Sequence, residues 1–95
     1  MKSTKRDITW FKTVRDKIRT HVNLNGESFT KSEMDSILKG FATNESEKYA
    51  EGTNFNVSCS DISHEDFQEL KEWVKMYGEL VGFEVDEYKD LNFNR

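Results

Sequence analysis

This sequence contains no proline and a single cysteine, and it has few glycines and no long apolar run. One cysteine cannot form an intrachain disulfide, so the disulfide-rich scaffolds of small secreted proteins are excluded. The longest apolar stretches, such as residues 80–83, fall far short of the ~20 residues that a membrane-spanning helix needs. No signal-type apolar core follows the first residues. We therefore expect a cytoplasmic protein without a membrane segment.

Residues that could carry catalysis or hold a cofactor are also scarce. Cys59, His21 and His64 are too few and too scattered for a zinc site. Cys59 and His64 could form a catalytic pair, but a buried structural cysteine is the commoner case. The five glycines never fall at the spacing of a phosphate-binding loop. These absences favour a protein that is not an enzyme and has no metal or cofactor.

The chain does contain enough aromatic residues to build a core, at 13% of its 95 positions. This length accommodates one core, so we expect a single domain over residues 1–95, with frayed ends at 1–6 and 91–95. The apolar faces of the predicted elements supply eight residues that we expect to be mostly buried: Phe11, Ile18, Leu38, Phe55, Val57, Leu70, Val74 and Tyr77.

The first half of the chain carries two helical patterns. Apolar side chains recur every three or four positions over residues 7–22, which predicts a helix that Thr4 or Asp7 could cap. Residues 30–33 read Thr-Lys-Ser-Glu, a capping box that predicts the start of a second helix. Because proline is absent, glycines and caps must set the helix ends, and we expect this second helix to end near Gly40.

A third, longer helix is predicted in the second half. Ser63 is a suitable cap, Asp66 occupies the third helical position, and Gly82 follows the last apolar residue of the face. A further short helix over residues 44–51 is an alternative that the spacing of Asn44 and Glu47 leaves open.

Two segments have the features of strands. Phe55, Val57 and Cys59 alternate with polar residues, and residues 83–88 also alternate. The order predicts an α+β fold: two N-terminal helices, with or without a short third one, followed by strand, long helix and strand. Two strands alone are marginal in water, so helices would have to cover them or a homodimer would have to extend the sheet.

Charge is distributed unevenly along the chain, at about +4 over residues 1–43 and −8 over residues 44–95. Acidic surfaces steer association with basic partners. We therefore expect a small interaction protein, a regulator or inhibitor of the kind found among bacterial or phage accessory proteins, that binds a partner protein through an acidic helix face. The residues of this predicted face are Glu65, Glu69, Glu72, Trp73, Glu79, Asp86 and Glu87.

The first helix offers a different candidate. Its basic residues recur at helical spacing next to an aromatic one, and such a stripe could bind the phosphates of a nucleic acid or nucleotide while the aromatic ring stacks on a base. The residues of this alternative phosphate-binding stripe are Lys5, Arg6, Trp10, Lys12, Arg15 and Arg19.

Overall fold

The structure, a computed structural model, describes residues 2–46, 52 and 54–85. Three α-helices account for most of this part: α1 spans Lys5–Leu24, α2 spans Lys31–Glu45 and α3 spans His64–Leu80. A 3₁₀ helix over Cys59–Asp61 precedes α3. The described ranges contain no β-strand, so the predicted α+β fold is wrong and this part of the chain is all-helical.

Side-chain caps begin all three helices. Thr4 and Asp7 form a reciprocal capping box at α1, so the cap is Thr4 and Asp7 lies inside the helix. Thr30 caps α2, where the Glu33 amide donates to the Thr30 hydroxyl over 3.1 Å. Ser63 caps α3. The two caps predicted without an alternative, Thr30 and Ser63, are confirmed.

The helix ends follow the glycines only in part. Gly82 has a φ of +84°, and the amides of Gly82 and Phe83 donate to the carbonyls of Glu79 and Gly78. This Schellman motif ends α3 as predicted. The prediction for Gly40 is wrong, because α2 continues through it to Glu45.

Segment 44–51, for which the sequence left a separate short helix open, is divided by the observed boundary of α2. Asn44 and Glu45 are the last residues of α2, and residues 47–51 lie outside the described residues.

The segment predicted as the first strand is a loop that packs without a partner strand. Its backbone groups bond to side chains instead: the Phe55 amide donates to the Thr43 hydroxyl (2.9 Å), and the Val57 carbonyl accepts from the Lys39 ammonium (2.7 Å). Phe55 and Cys59 are buried, whereas Val57 is exposed. The apolar residues at alternate positions are therefore not one face of a strand: Phe55 and Cys59 are buried separately, and Val57 between them is exposed.

The predicted second strand is not observed either. Residues 83–85 have no regular secondary structure, and residues 86–88 lie outside the described part of the chain. Because the argument for a homodimer was the incomplete sheet, that argument no longer applies.

The helices form an up-down-up bundle. His64 at the start of α3 contacts Asp7 near the start of α1, and His21 near the end of α1 contacts the Val81 carbonyl after α3, so these two helices run in parallel. Helix α2 runs antiparallel to both. The fully buried core residues include six of the eight predicted ones: Phe11, Ile18, Leu38, Phe55, Leu70 and Val74. Tyr77 is half-buried, and the prediction that Val57 is buried is wrong, because it lies exposed in the loop described above.

The N-terminal residues, which we expected to fray, are tied to the segment before α3. The Ser3 amide donates to the Ile62 carbonyl (3.0 Å), and the Ser3 hydroxyl donates to the Cys59 carbonyl (2.8 Å). This places the start of α1 next to the 3₁₀ helix. The C-terminal residues 91–95, also expected to fray, lie outside the described residues.

Candidate interaction surfaces

The outward face of α3 carries three glutamates in a line. Glu65, Glu72 and Glu79 are all exposed and lie seven residues apart. Seven residues are close to two helical turns, so successive glutamates share one face at intervals of about 10 Å. We call this set, Glu65, Glu72 and Glu79, the acidic ridge.

Two large apolar side chains lie beside the acidic ridge. Met76 is 43% exposed and Leu80 is 67% exposed, and they are among the few large apolar side chains that reach solvent in the described part of the chain. They are four residues apart, hence on adjacent turns of one side of α3. The face thus combines negative charge with apolar area.

Glu69 and Trp73 belong to the packing between α2 and α3 more than to the open surface. The Glu69 carboxylate accepts from the Ser46 hydroxyl at the end of α2 and from the Trp73 indole Nε1 (3.1 Å). The half-buried ring of Trp73 packs edge to face against Phe41, with 5.9 Å between ring centroids. Glu69 therefore joins α2 to α3, and the indole N–H of Trp73 is already bonded to Glu69 within the fold.

The remaining predicted residues of the acidic face are Asp86 and Glu87, which lie outside the described residues. Among the described residues, Lys75 contacts the ridge: its Nζ lies 3.4 Å from a Glu72 carboxylate oxygen. Because the Glu72 side chain is 73% exposed, this pair is well solvated and contributes little to stability, although the ammonium lowers the local net charge of the ridge.

The predicted basic stripe on α1 is divided by the fold. Trp10 has no exposed surface on which a base could stack. Arg15 is paired with Asp16 (3.0 Å) and Asp35 (3.4 Å), and Arg19 donates to the Phe29 carbonyl (3.1 Å). The contacts of Arg15 with Asp35 and of Arg19 with Phe29 hold α1 against α2 and the turn before it.

The other three basic residues of the stripe, Lys5, Arg6 and Lys12, are exposed. Lys12 borders a cavity of about 320 Å³ together with Lys39 of α2 and residues of the 3₁₀ segment. Lys39 was not among the predicted site residues, because it lies 27 positions from Lys12 in the sequence and only the packing of α2 on α1 brings the two together.

A cluster of polar side chains lies between the starts of α1 and α3, and two of its members, Asp7 and Lys71, are buried. Asp7 is 2% exposed and contacts His64 Nδ1 (2.7 Å), Lys71 Nζ (3.0 Å) and Gln68 Nε2 (3.3 Å). We call these four residues the Asp7 cluster. Burial alone would raise the pKa of Asp7, but hydrogen bonds from the Thr4 amide, His64 and Lys71 outweigh it and hold the pKa well below its usual range.

The arrangement of the Asp7 cluster indicates a structural role. A carboxylate with three side-chain partners and a backbone amide has its acceptor capacity used, and it connects two helices. His64 is committed to Asp7, and His21 to the Val81 carbonyl. Burial also raises the pKa of the Cys59 thiol, although the neighbouring Lys39 ammonium opposes this shift. A raised pKa disfavours the reactive thiolate.

Within residues 2–46, 52 and 54–85, no three His, Cys, Asp or Glu side chains lie together as a metal site would require. None of the described helices is both long and apolar enough to span a bilayer. No family model matches this chain, and comparison with curated proteins and with solved structures finds no significant match.

Proposed function

We propose that this protein is a small non-enzymatic interaction module that binds a basic partner protein through the acidic ridge of α3. The observation that supports this proposal best is the alignment of Glu65, Glu72 and Glu79 on one exposed face, next to Met76 and Leu80. Protein interfaces need apolar area at their centre, and charge at the rim sets the approach rate and the choice of partner.

Charge complementarity defines the partner. Three carboxylates spread over about 20 Å of helix match a protein surface that presents Lys or Arg at similar intervals. Met76 and Leu80 would contact an apolar patch on that surface, and methionine adapts its shape well to such contacts. A nucleic acid is disfavoured at this face, because the carboxylates would repel its phosphates.

The experiment is affinity capture with three forms of the chain, each with and without nuclease treatment of the lysate. The ridge variant carries Glu65→Lys, Glu72→Lys and Glu79→Lys, and it leaves Glu69 intact because that residue joins α2 to α3. The matched control changes the same number of charges at three other exposed glutamates, through Glu27→Lys, Glu45→Lys and Glu84→Lys. Exposed charges contribute only ~0–1 kcal/mol each to stability, so all three forms should fold.

We expect the natural sequence and the control to retain the same protein, and the ridge variant to lose it. The captured protein should then associate with the purified chain at a rate that falls as salt is added. If the ridge variant captures the same partner as the control does, the proposal is wrong. A partner that disappears on nuclease treatment would favour the phosphate-binding alternative on α1.

A further inference from the structure

A second candidate site is the cavity between α1, α2 and the 3₁₀ segment. Its volume is about 320 Å³, at the lower end of the range for small-molecule sites. Lys12 of α1 and Lys39 of α2 line it, and Ser58 and Ser60 complete the wall on the side of the 3₁₀ helix. Two cations and two hydroxyls therefore line one pocket that is open to solvent.

Lys39 is held in a fixed position within this wall. It is 4% exposed, and its ammonium donates to the Val57 carbonyl (2.7 Å) and lies 3.0 Å from an Asp35 carboxylate oxygen. The Cys59 thiol also hydrogen-bonds to this ammonium, so its three protons have partners and Lys39 contributes a fixed positive charge to the cavity. A buried, pre-positioned cation loses little side-chain entropy when it binds an anion.

The cavity has a surplus of positive charge. Asp35 also lines it, but its carboxylate is shared between Lys39 and Arg15. Lys12 is exposed and has no ion-pair partner among the described residues. The charge of Lys12 is therefore uncompensated by the residues around the cavity.

The hydroxyls suit an oxyanion. Ser58 and Ser60 are exposed, and their hydroxyls are hydrogen-bonded to each other (Oγ to Oγ 3.1 Å), so one hydroxyl proton is left to donate to an oxyanion. Ile8 provides an apolar wall that an organic substituent could contact. Lysine ammoniums with hydroxyl donors are a common combination for phosphate groups.

We propose that this cavity binds a small phosphate-bearing anion, with Lys12 and the Ser58–Ser60 hydroxyl pair as the donors and Lys39 as a fixed positive charge beside them. It is independent of the acidic ridge and of the protein partner proposed for that ridge. It also differs from the phosphate-binding stripe predicted from the sequence, since of the stripe's six residues only Lys12 lines the cavity.

The test is a titration of the isotopically labelled chain followed by amide NMR spectra, at constant ionic strength. The probes are inorganic phosphate and glycerol 3-phosphate, with chloride as the reference anion. We expect saturable shifts at residues 58–60 and around Lys12 with both phosphates and none with chloride. Tighter binding of the ester would identify a phosphorylated small molecule as the ligand, and equal binding would identify phosphate itself.

Two variants make the test specific. Lys12→Gln should weaken phosphate binding about tenfold, the loss expected for one charge-assisted contact, and its exposed side chain can be changed without disturbing the core. Lys17→Gln removes the same charge from the same helix but does not line this cavity, so it should bind as the natural sequence does. Absence of saturable shifts, or equal weakening by both variants, would overturn the proposal.

Discussion

Replacing Gly78 by alanine is expected to destabilise the protein, although alanine is the better helix former. A Cβ at Gly78 would lie 2.8 Å from the Phe83 carbonyl oxygen and 2.9 Å from Val85 Cγ2. The Val85 methyl can move, but the Phe83 oxygen is backbone and belongs to the turn that ends α3, where the Phe83 amide donates to the Gly78 carbonyl over 2.7 Å.

The magnitude follows from two opposed contributions. Overpacking of this kind costs about 1–3 kcal/mol, and the gain in helix propensity offsets about 0.5–1 kcal/mol of it. The net loss in the free energy of unfolding should be about 1–2 kcal/mol, which lowers Tm by roughly 5–15 °C in a domain of this size.

Gly40→Ala is the matched control for this prediction. Gly40 lies inside α2, and a Cβ there would meet nothing within 4 Å. The same substitution should therefore stabilise the protein by about 0.5–1 kcal/mol. Urea unfolding followed by far-UV circular dichroism measures both changes. If Gly78→Ala proves as stable as the natural sequence, the close packing of the C-terminal turn on α3 is incorrect.

Two further predictions concern the polar groups that fix the helices. Asp7→Asn should cost about 3 kcal/mol at pH 7, because it removes the charge of a buried carboxylate that pairs α1 with α3. The folded-state pKa of Asp7 is lowered, so the stabilisation by its carboxylate is fully present above the unfolded-state pKa of ~3.9 and is lost as the pH falls below that value. In urea unfolding, the difference in free energy of unfolding between the natural sequence and Asp7→Asn should therefore narrow below about pH 4. Thr30→Ala and Ser63→Ala should each lower the free energy of unfolding by about 1 kcal/mol in the same assay, because each removes a helix cap. The control is Ser36→Ala: Ser36 is exposed and caps no helix, so this change should alter stability by less than about 0.5 kcal/mol. An unchanged unfolding midpoint for both cap variants would contradict the helix boundaries described above.

The helix starts were predictable from the sequence because the signal is local. A cap and the amides that it satisfies lie within four residues, and Thr30 and Ser63 needed no information from elsewhere. The end of α2 was not predictable in this way. Gly40 costs the helix up to about 1 kcal/mol, but the burial of Ala42 one half-turn later favours continuing it.

The two strand predictions were also wrong because they depended on contacts from elsewhere in the chain. A period of two places alternate residues on one side, but a strand also requires a partner for its backbone groups. At residues 54–58 those groups bond to side chains such as Thr43 and Lys39, which come from α2. Alternation alone does not distinguish these two ways of satisfying a backbone.

The candidate surfaces were predictable to the extent that they depend on one helix. The exposure of Glu65, Glu72 and Glu79 follows from the amphipathic pattern of α3. The engagement of Glu69 with Ser46, and the meeting of Lys12 with Lys39, depend on contacts between helices. Such contacts require the packed structure.

The most direct test of the acidic ridge as a docking surface is site-specific photo-crosslinking in cells. A photo-reactive amino acid replaces Met76, which lies exposed beside the ridge, and in a second experiment it replaces Ser36, which is exposed on α2. We expect position 76 to yield a discrete protein adduct that disappears when Glu65, Glu72 and Glu79 are changed to lysine, and position 36 to yield none. An adduct that forms from position 36 but not from position 76, or one that persists in the ridge variant, would contradict the proposed function.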